Sequence, residues 1–340
     1  MSSAFELIIG MVFILITAMV FCNALEHLGE HLGISEGVTG SIFVAVGTAL
    51  PEAIVPIIAL FSGGVKDAGE VGIGAIMGPP LMLSTLSVAL MAFAVLKTRG
   101  IRGQIRPERS GLKRDLSFFS FGYVLAILLA FSHNFYNNHM INLFVTGILI
   151  TSYFVYVLIT IKASSKLVAD GHATEADEDL FFHRVFRLPE NLFTVIIQAA
   201  IGLLGLIYFA HVFIDGITGV ADAVGIPIFL LSVVLIPVAT ELPEKVNSIL
   251  WIRKGKDTLA VANITGAMVF QGLLLPVMGI LFTDWVLSWE KAVSCIATFI
   301  AVIWISIHIR KGRHLEVKHF IFNGILYVIS LIISFILYKG

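Results

Sequence analysis

Ten apolar runs decide what this chain can fold into. They lie at about 4–25, 38–62, 69–97, 115–132 and 140–162, and again at about 191–215, 226–251, 258–283, 290–309 and 319–338. Each comes close to the roughly 20 residues that carry a helix across the hydrocarbon core of a bilayer. A helix satisfies its own backbone donors and acceptors within one segment, so the runs are expected to be helical. Charged residues make up only 13% of the 340, about half the share of a soluble domain. That is too few to cover a soluble surface, and it excludes a nucleic-acid binder, a secreted disulfide scaffold and a disordered chain. Cys22 and Cys295 both fall inside apolar runs, so neither a structural disulfide nor a thiolate metal site is expected. The N-terminus lacks a basic leader, carries Glu6 and enters the first run directly; it reads as a span rather than a cleaved signal.

The one sizeable polar piece, 163–190, separates 1–162 from 191–340 and leaves five runs on each side. Its acidic stretch, Glu175, Asp177, Glu178 and Asp179, reads as a solvated linker. Lysines and arginines set the orientation. Eighteen fall in the connections 97–114, 162–187, 253–256 and 310–318, whereas Lys66, Lys291 and Lys339 fall on the opposite side. The basic face is expected to be cytoplasmic, with the linker on it and both termini outside.

The two halves repeat. Gly33-Ile34, Thr48 and Leu50-Pro51-Glu52 recur as Gly225-Ile226, Thr240 and Leu242-Pro243-Glu244, at a constant offset of 192, and Asn23 falls opposite Asp215. Ala75-Ile76-Met77-Gly78 is answered by Asn263-Ile264-Thr265-Gly266. An odd number of spans per copy turns the second copy upside down. The expected fold is therefore an all-α polytopic membrane protein whose ten transmembrane helices form two inverted five-helix repeats. Inverted repeats mark transporters, with the substrate site near the midplane where the halves meet.

The chemistry lies in GTALPE (Gly47–Glu52) and ATELPE (Ala239–Glu244), each in the middle of an apolar run. Proline removes a backbone donor and restrains the residue before it, so helix breaks are expected at Thr48–Pro51 and Thr240–Pro243. Freed carbonyls, a hydroxyl and a carboxylate are hard oxygen ligands of the kind Ca²⁺ or Na⁺ takes. Two facing half-sites would cage a cation between Glu52 and Glu244. An ionisable group at mid-bilayer costs roughly 2.5–3.5 kcal/mol even on the most lenient scale, and two symmetric copies of that cost point to function.

These paired motifs resemble the alpha repeats of the cation/calcium exchanger superfamily, closest to its sodium/calcium exchanger branch. The resemblance extends over nearly the whole chain. It implies a secondary antiporter, not an enzyme, that exchanges Ca²⁺ or a related divalent cation by alternating access. The first helix of each repeat would slide across a fixed core. Inorganic cations and membrane lipid would be its partners, the plasma (cytoplasmic) membrane its place, and no cofactor is implied beyond the transported ions. Position by position, the implied ligands are Ala45 and Thr48 through their carbonyls and Glu52 in the first repeat, and Thr240 and Glu244 in the second. Where the family has Ser after Thr, this chain has Ala49 and Glu241; the polar ligand of the following span becomes Leu83 and Gln271. Glu241 and Gln271 thus join the candidate cation ligands, and the coupling ion is either Na⁺ or H⁺.

Lys245 is the single basic residue inside a run, and its repeat partner is Ala53. Glu241 stands four residues earlier, so acid and base meet on one helix face. Lys245 is expected to compensate Glu241 and keep the centre at the −2 of Glu52 and Glu244. Two rival classes remain. His27-Leu28-Gly29-Glu30-His31 spells the HxxEH of one class of zinc peptidases; it is expected at the outer end of the first span as a polar rim, with His211 and Asp215 facing the inner half. The other rival is a non-transporting cation sensor or channel. The topology has its own test: a cysteine placed at Ser165 should react with an impermeant thiol reagent only after cells are opened, and labelling of intact cells would reverse the orientation.

Overall fold

The computed structural model describes residues 3–32, 45–61, 68–136, 138–169, 178–225, 228–310 and 315–339. The first two helices are α1 (Ser3–His31) and α2 (Ala45–Phe61). Next come α3 (Ala68–Met82), a π-helical turn (Leu83–Ser87) and α4 (Val88–Arg99), which together make one long rod. The first half continues with strand β1 (Gln104–Ile105), α5 (Arg109–Ser132) and α6 (His139–Ala169). A short α7 (Phe181–Phe186) leads into α8 (Leu192–Val224), α9 (Ile228–Thr240) and α10 (Leu242–Arg253). The chain closes with α11 (Asp257–Leu273), α12 (Leu275–Phe282), α13 (Trp289–Arg310), strand β2 (Leu315–Glu316) and α14 (Val317–Lys339).

Eight helical stretches among the described residues are long and apolar enough to span a membrane, and each coincides with one of the ten runs. The other two runs, 38–62 and 226–251, carry the PE motifs and hold shorter apolar helices, Glu52–Phe61 and Leu231–Thr240. Large apolar side chains such as Phe93, Phe121, Leu128, Phe144, Leu204 and Ile336 stand exposed on the outside, as suits a surface covered by lipid.

Two expectations about helix continuity part ways. The second break is present: Glu241 (φ −92°, ψ 5°) interrupts the rod between α9 and α10. The first is not, because α2 runs without interruption from Ala45 through Pro51 to Phe61. The reason lies in proline placement. Pro237 and Pro243 remove donors on both sides of Glu241, whereas the repeat counterpart of Pro237 is Ala45 and the second proline of α2, Pro56, lies beyond Glu52. Without a proline ahead of the motif, the helical ladder is dented and not ended.

α1 and α8 pack antiparallel along their length through glycine. A β-carbon at Gly10 would lie 2.7 Å from the Phe213 backbone, and one at Gly202 would lie 2.9 Å from Phe21. Gly10 and Gly202 are 192 residues apart, and so are Phe21 and Phe213; each contact is the image of the other. Small residues let transmembrane helices approach at backbone distance. Ile14, Phe21, Val55, Phe213, Ile217 and Ile236 build one core among α1, α2, α8 and α9. A larger core gathers Met91, Phe119, Tyr123, Phe270, Trp285 and Val302 from the remaining spans.

The antiparallel pairing also corrects the expected positions of two polar ends. His27 lies 2.9 Å from the Glu178 carbonyl, and Asn23 accepts the Phe181 N–H at 2.8 Å. The HxxEH end of α1 therefore lies against the linker, on the linker's side of the molecule and not at the opposite rim. Asp215 belongs to the other end, where its neighbour Gly216 meets Leu7 near the start of α1. A span that starts on one face delivers its end to the other, and the expected positions had been exchanged.

Two features stand outside the all-α expectation and tie the halves together. β1 and β2 pair antiparallel, Gln104 with Glu316 and Ile105 with Leu315. Beside them Arg99 grips Asp257 with two parallel bonds of 2.8 and 2.7 Å and donates also to the Gln104 and Ile252 carbonyls, a bidentate geometry that is strong for its size. Glu108 caps α5 by accepting the Ser110 and Gly111 N–H groups. Burial opposes its charge, yet these bonds hold its carboxyl below the ordinary range. Elsewhere, Lys291 of α13 reaches Glu70 of α3 at 3.0 Å.

The glycine contact between α1 and α8 generates a direct test. A β-carbon at Gly216 would fall 2.3 Å from the Leu7 backbone nitrogen, whereas one at Gly147 meets nothing within 4 Å. Gly216→Val should cost about 1–3 kcal/mol through overpacking and lower the melting temperature in detergent. Gly147→Ala should leave it unchanged. Equal melting of both variants would contradict the backbone-distance packing.

Candidate ion-binding site

Glu52 sits on α2 one position after Pro51, on the stripe that carries Val55 and Ala59 into the core, and all three are fully buried. Positions i, i+3 and i+7 share one helix face, so packing of the apolar pair fixes where the carboxylate points. Glu241 is the residue at the break between α9 and α10, and Glu244 lies in the first turn of α10; both are fully buried. Glu52 lies within electrostatic reach of Glu244, Glu241 and Lys245. The fold thus brings together carboxylates nearly 200 residues apart in sequence. Neither oxygen of Glu52 has a hydrogen-bond partner among the described residues, and a buried carboxylate without donors is costly.

The surrounding helices come close for identifiable reasons. Gly74 and Gly78 let α3 lie directly on α9: their β-carbons would fall 2.8 Å from the Ser232 side chain and 2.6 Å from the Pro237 ring. α10 and α11 are joined by Asn263, whose amide donates to the Glu244 carbonyl at 3.3 Å and to the Ser248 hydroxyl at 3.2 Å. Ser248 passes its own proton to the Ala260 carbonyl at 3.0 Å. The Asn263 amide oxygen and the Ser232 hydroxyl stay buried without partners among the described residues.

The remaining candidates are distributed as follows. The Thr240 hydroxyl donates to the Ile236 carbonyl at 3.0 Å, so it is occupied locally. Gln271 is buried beside Glu241 with neither amide atom in hydrogen-bond geometry. Ala45 and Thr48 lie in the first turn of α2, and their side chains fall outside the described residues. The helix commits their carbonyls to the N–H groups of Ala49 and Glu52, while Pro51, having no N–H, leaves the Gly47 carbonyl without its helical donor. The Gly47 carbonyl, Ser232 and Asn263 are thus polar groups that the motif alone did not single out, and Asn263 touches the backbone of Glu244. Asn263 had a visible signal as the polar member of its small-residue repeat, whereas Ser232 had none.

Lys245 is only 5% exposed, with its ammonium 3.2 Å from Glu241, which realises the expected i, i+4 contact. It donates also to the Pro237 carbonyl at 3.1 Å and to the Met82 sulfur at 2.9 Å. Among the described residues, no three His, Cys, Asp or Glu side chains form a metal-holding group. In the HxxEH segment His27 is 3.7 Å from Glu30, and His31 turns back to the His27 carbonyl. Its histidines serve the α1 end rather than converging on a point.

Comparison with known proteins gives consistent likenesses. The family model described as sodium/calcium exchanger protein matches residues 2–162 and 194–336. The sodium/calcium exchanger MaX1 of Methanosarcina acetivorans is 24% identical over 298 residues, covering 79% of this chain and 80% of that protein. The crystal structure of the H⁺/Ca²⁺ exchanger CAX superposes with a TM-score of 0.75 at 15% identity, covering 99% of this chain and 86% of the other. The sodium–calcium exchanger NCX_Mj gives 0.64 at 20% identity and 97% of both chains. These two structures share the fold.

Proposed function

Since the chain belongs to the sodium/calcium exchanger protein family, we propose that it is a secondary active antiporter. It exchanges Ca²⁺ or a related divalent cation against Na⁺ or H⁺ by alternating access across the cytoplasmic membrane. One observation carries this reading. Glu52 and Glu244, the glutamates of the two repeated motifs, are fully buried and within electrostatic reach of each other. Two carboxylates held that way in a bilayer need a cation, and oxygen ligands suit a hard divalent one.

In this reading 1–162 and 191–340 are inverted five-helix repeats, joined by the linker 163–190, with the basic face cytoplasmic and both termini outside. Glu52 and Glu244 supply the charge. The Gly47 carbonyl, freed by Pro51, the Thr240 carbonyl and the Gln271 amide would complete the oxygen set, with Glu241 beside it. The Ala45 and Thr48 carbonyls would join only if the first turn of α2 opens. Alternating access asks one group of helices to move against another, and α1 with α8, closely joined through glycine, would move as one. The titles of the two structural relatives name different coupling ions, H⁺ for CAX and Na⁺ for NCX_Mj, and this chain lacks part of the family's polar set. At His27–His31 the two imidazoles turn to the Glu178 and His27 carbonyls, which favours the antiport reading over an intramembrane peptidase.

The test is ⁴⁵Ca²⁺ uptake into proteoliposomes, driven separately by a Na⁺ gradient and by a pH gradient. One gradient should drive uptake in the wild type. Glu52→Gln and Glu244→Gln, which keep shape and remove one charge, should insert normally and lose uptake by about a hundredfold, the effect of some 2.7 kcal/mol. Robust transport by Glu52→Gln would sink the assignment.

A further inference from the structure

The site holds more charge than two glutamates supply, and it holds it unequally. At the positions where the second repeat has Glu241 and Lys245, the first has Ala49 and Ala53. An acid and a base have thus been placed together, one helical turn apart, in one half only. Both are buried, and they are paired at 3.2 Å.

A buried lysine in a membrane span ordinarily snorkels toward the headgroups. Lys245 does the opposite. An ammonium has three donors and no acceptor, and here three partners lie on three different elements: Glu241 at the break, the Pro237 carbonyl on α9 and the Met82 sulfur on α3. The Pro237 carbonyl also accepts the Glu241 N–H at 3.1 Å, so a single oxygen anchors both members of the pair. With an ion pair to Glu241 and hydrogen bonds to the Pro237 carbonyl and the Met82 sulfur, the ammonium is held in place and is not a mobile gate. Met82 immediately precedes the π-helical turn of the α3–α4 rod, which ties the lysine to an element outside its own repeat.

Charge counting gives the consequence. Glu52, Glu241 and Glu244 in their ionised forms carry −3, and Lys245 returns the centre to −2. One divalent cation neutralises that charge alone. Without the lysine, the same centre would need a divalent and a monovalent cation together. Resting on the antiport reading above, we propose that Lys245 is a fixed counter-cation that sets the ion count of the site: it neutralises Glu241, so that one divalent ion occupies the centre with no monovalent co-ion. Lys245 acts through Glu241 and is a positioning residue, since the ammonium itself does not touch the transported ion.

Ca²⁺ self-exchange tests this whichever ion, Na⁺ or H⁺, drives net transport. The purified full-length protein is reconstituted into liposomes loaded with unlabelled Ca²⁺, and ⁴⁵Ca²⁺ entry is followed at constant pH in choline, Li⁺, Na⁺ and K⁺ media. The wild type should exchange in choline at a rate within about twofold of its rate in the salts, a difference under about 0.5 kcal/mol. Lys245→Met should lose about tenfold or more in choline, because it leaves one buried charge uncompensated, and should regain exchange as a small monovalent cation is added. Lys245→Arg should remain independent of salt. The double variant Glu241→Ala with Lys245→Ala, which copies the first repeat, should exchange in choline as fast as in the salts, whatever its absolute rate, and it carries the test if the single variant fails to fold. Salt-independent exchange at the wild-type rate by Lys245→Met would overturn the proposal. So would a double variant that needs an added monovalent cation as Lys245→Met does, or, where that single variant does not fold, one whose exchange in choline falls well below its own rate in the salts. Absence of self-exchange in the wild type would overturn the antiport reading itself, and the inference with it.

Discussion

Three carboxylates and an ammonium buried in the centre of a membrane protein set the terms for everything around them. In such surroundings a charge needs a partner, a ligand or a donor, and the cost of supplying none is several kcal/mol per group. Lys245 answers Glu241 directly. Glu52 has no donor among the described residues, and Asn263 fastens the backbone that carries Glu244. In the antiport reading these carboxylates, set among buried apolar side chains, are the groups that would take the cation.

The rest of the fold can be understood as the means of holding such a centre. Glycines at 74 and 78 bring α3 onto α9 at backbone distance, and the Pro237–Pro243 pair opens the rod at Glu241. Arg99 on Asp257 and Lys291 on Glu70 tie residues of one half to the third span of the other. α1 and α8 are joined to each other through Gly10, Gly202 and Gly216 and pack as a pair against α2 and α9. Under the proposed antiport, the braced helices would hold the candidate site while the closely paired couple moves against them.

Much of this was legible before any coordinates. Apolar runs of spanning length announced the helices, and the 192-residue offset matched the two PE motifs. Glu241 and Lys245 could be paired because i and i+4 meet on any helix, even across a break that preserves the ladder bond from Lys245 to the Glu241 carbonyl. Other features were not legible, for physical reasons. α2 continues through Pro51 because it lacks a counterpart of Pro237, a difference of proline placement that the shared motif conceals. Arg99 and Asp257 lie 158 residues apart, and the two-residue β1–β2 ladder is too short for any periodicity to mark. The end of α1 was assigned to the wrong side although the direction of the first span already determined it; the contact of His27 with Glu178 makes the point.

The central claim is that one divalent cation sits between Glu52 and Glu244. Anomalous scattering from crystals soaked in Ca²⁺ measures this most directly, because it locates the ion without assuming any transport cycle. The account predicts a single strong peak between α2 and α10, with carboxylate oxygens of both glutamates at about 2.3–2.6 Å. A peak held by only one of the two, or one found instead at His27–His31, would contradict it.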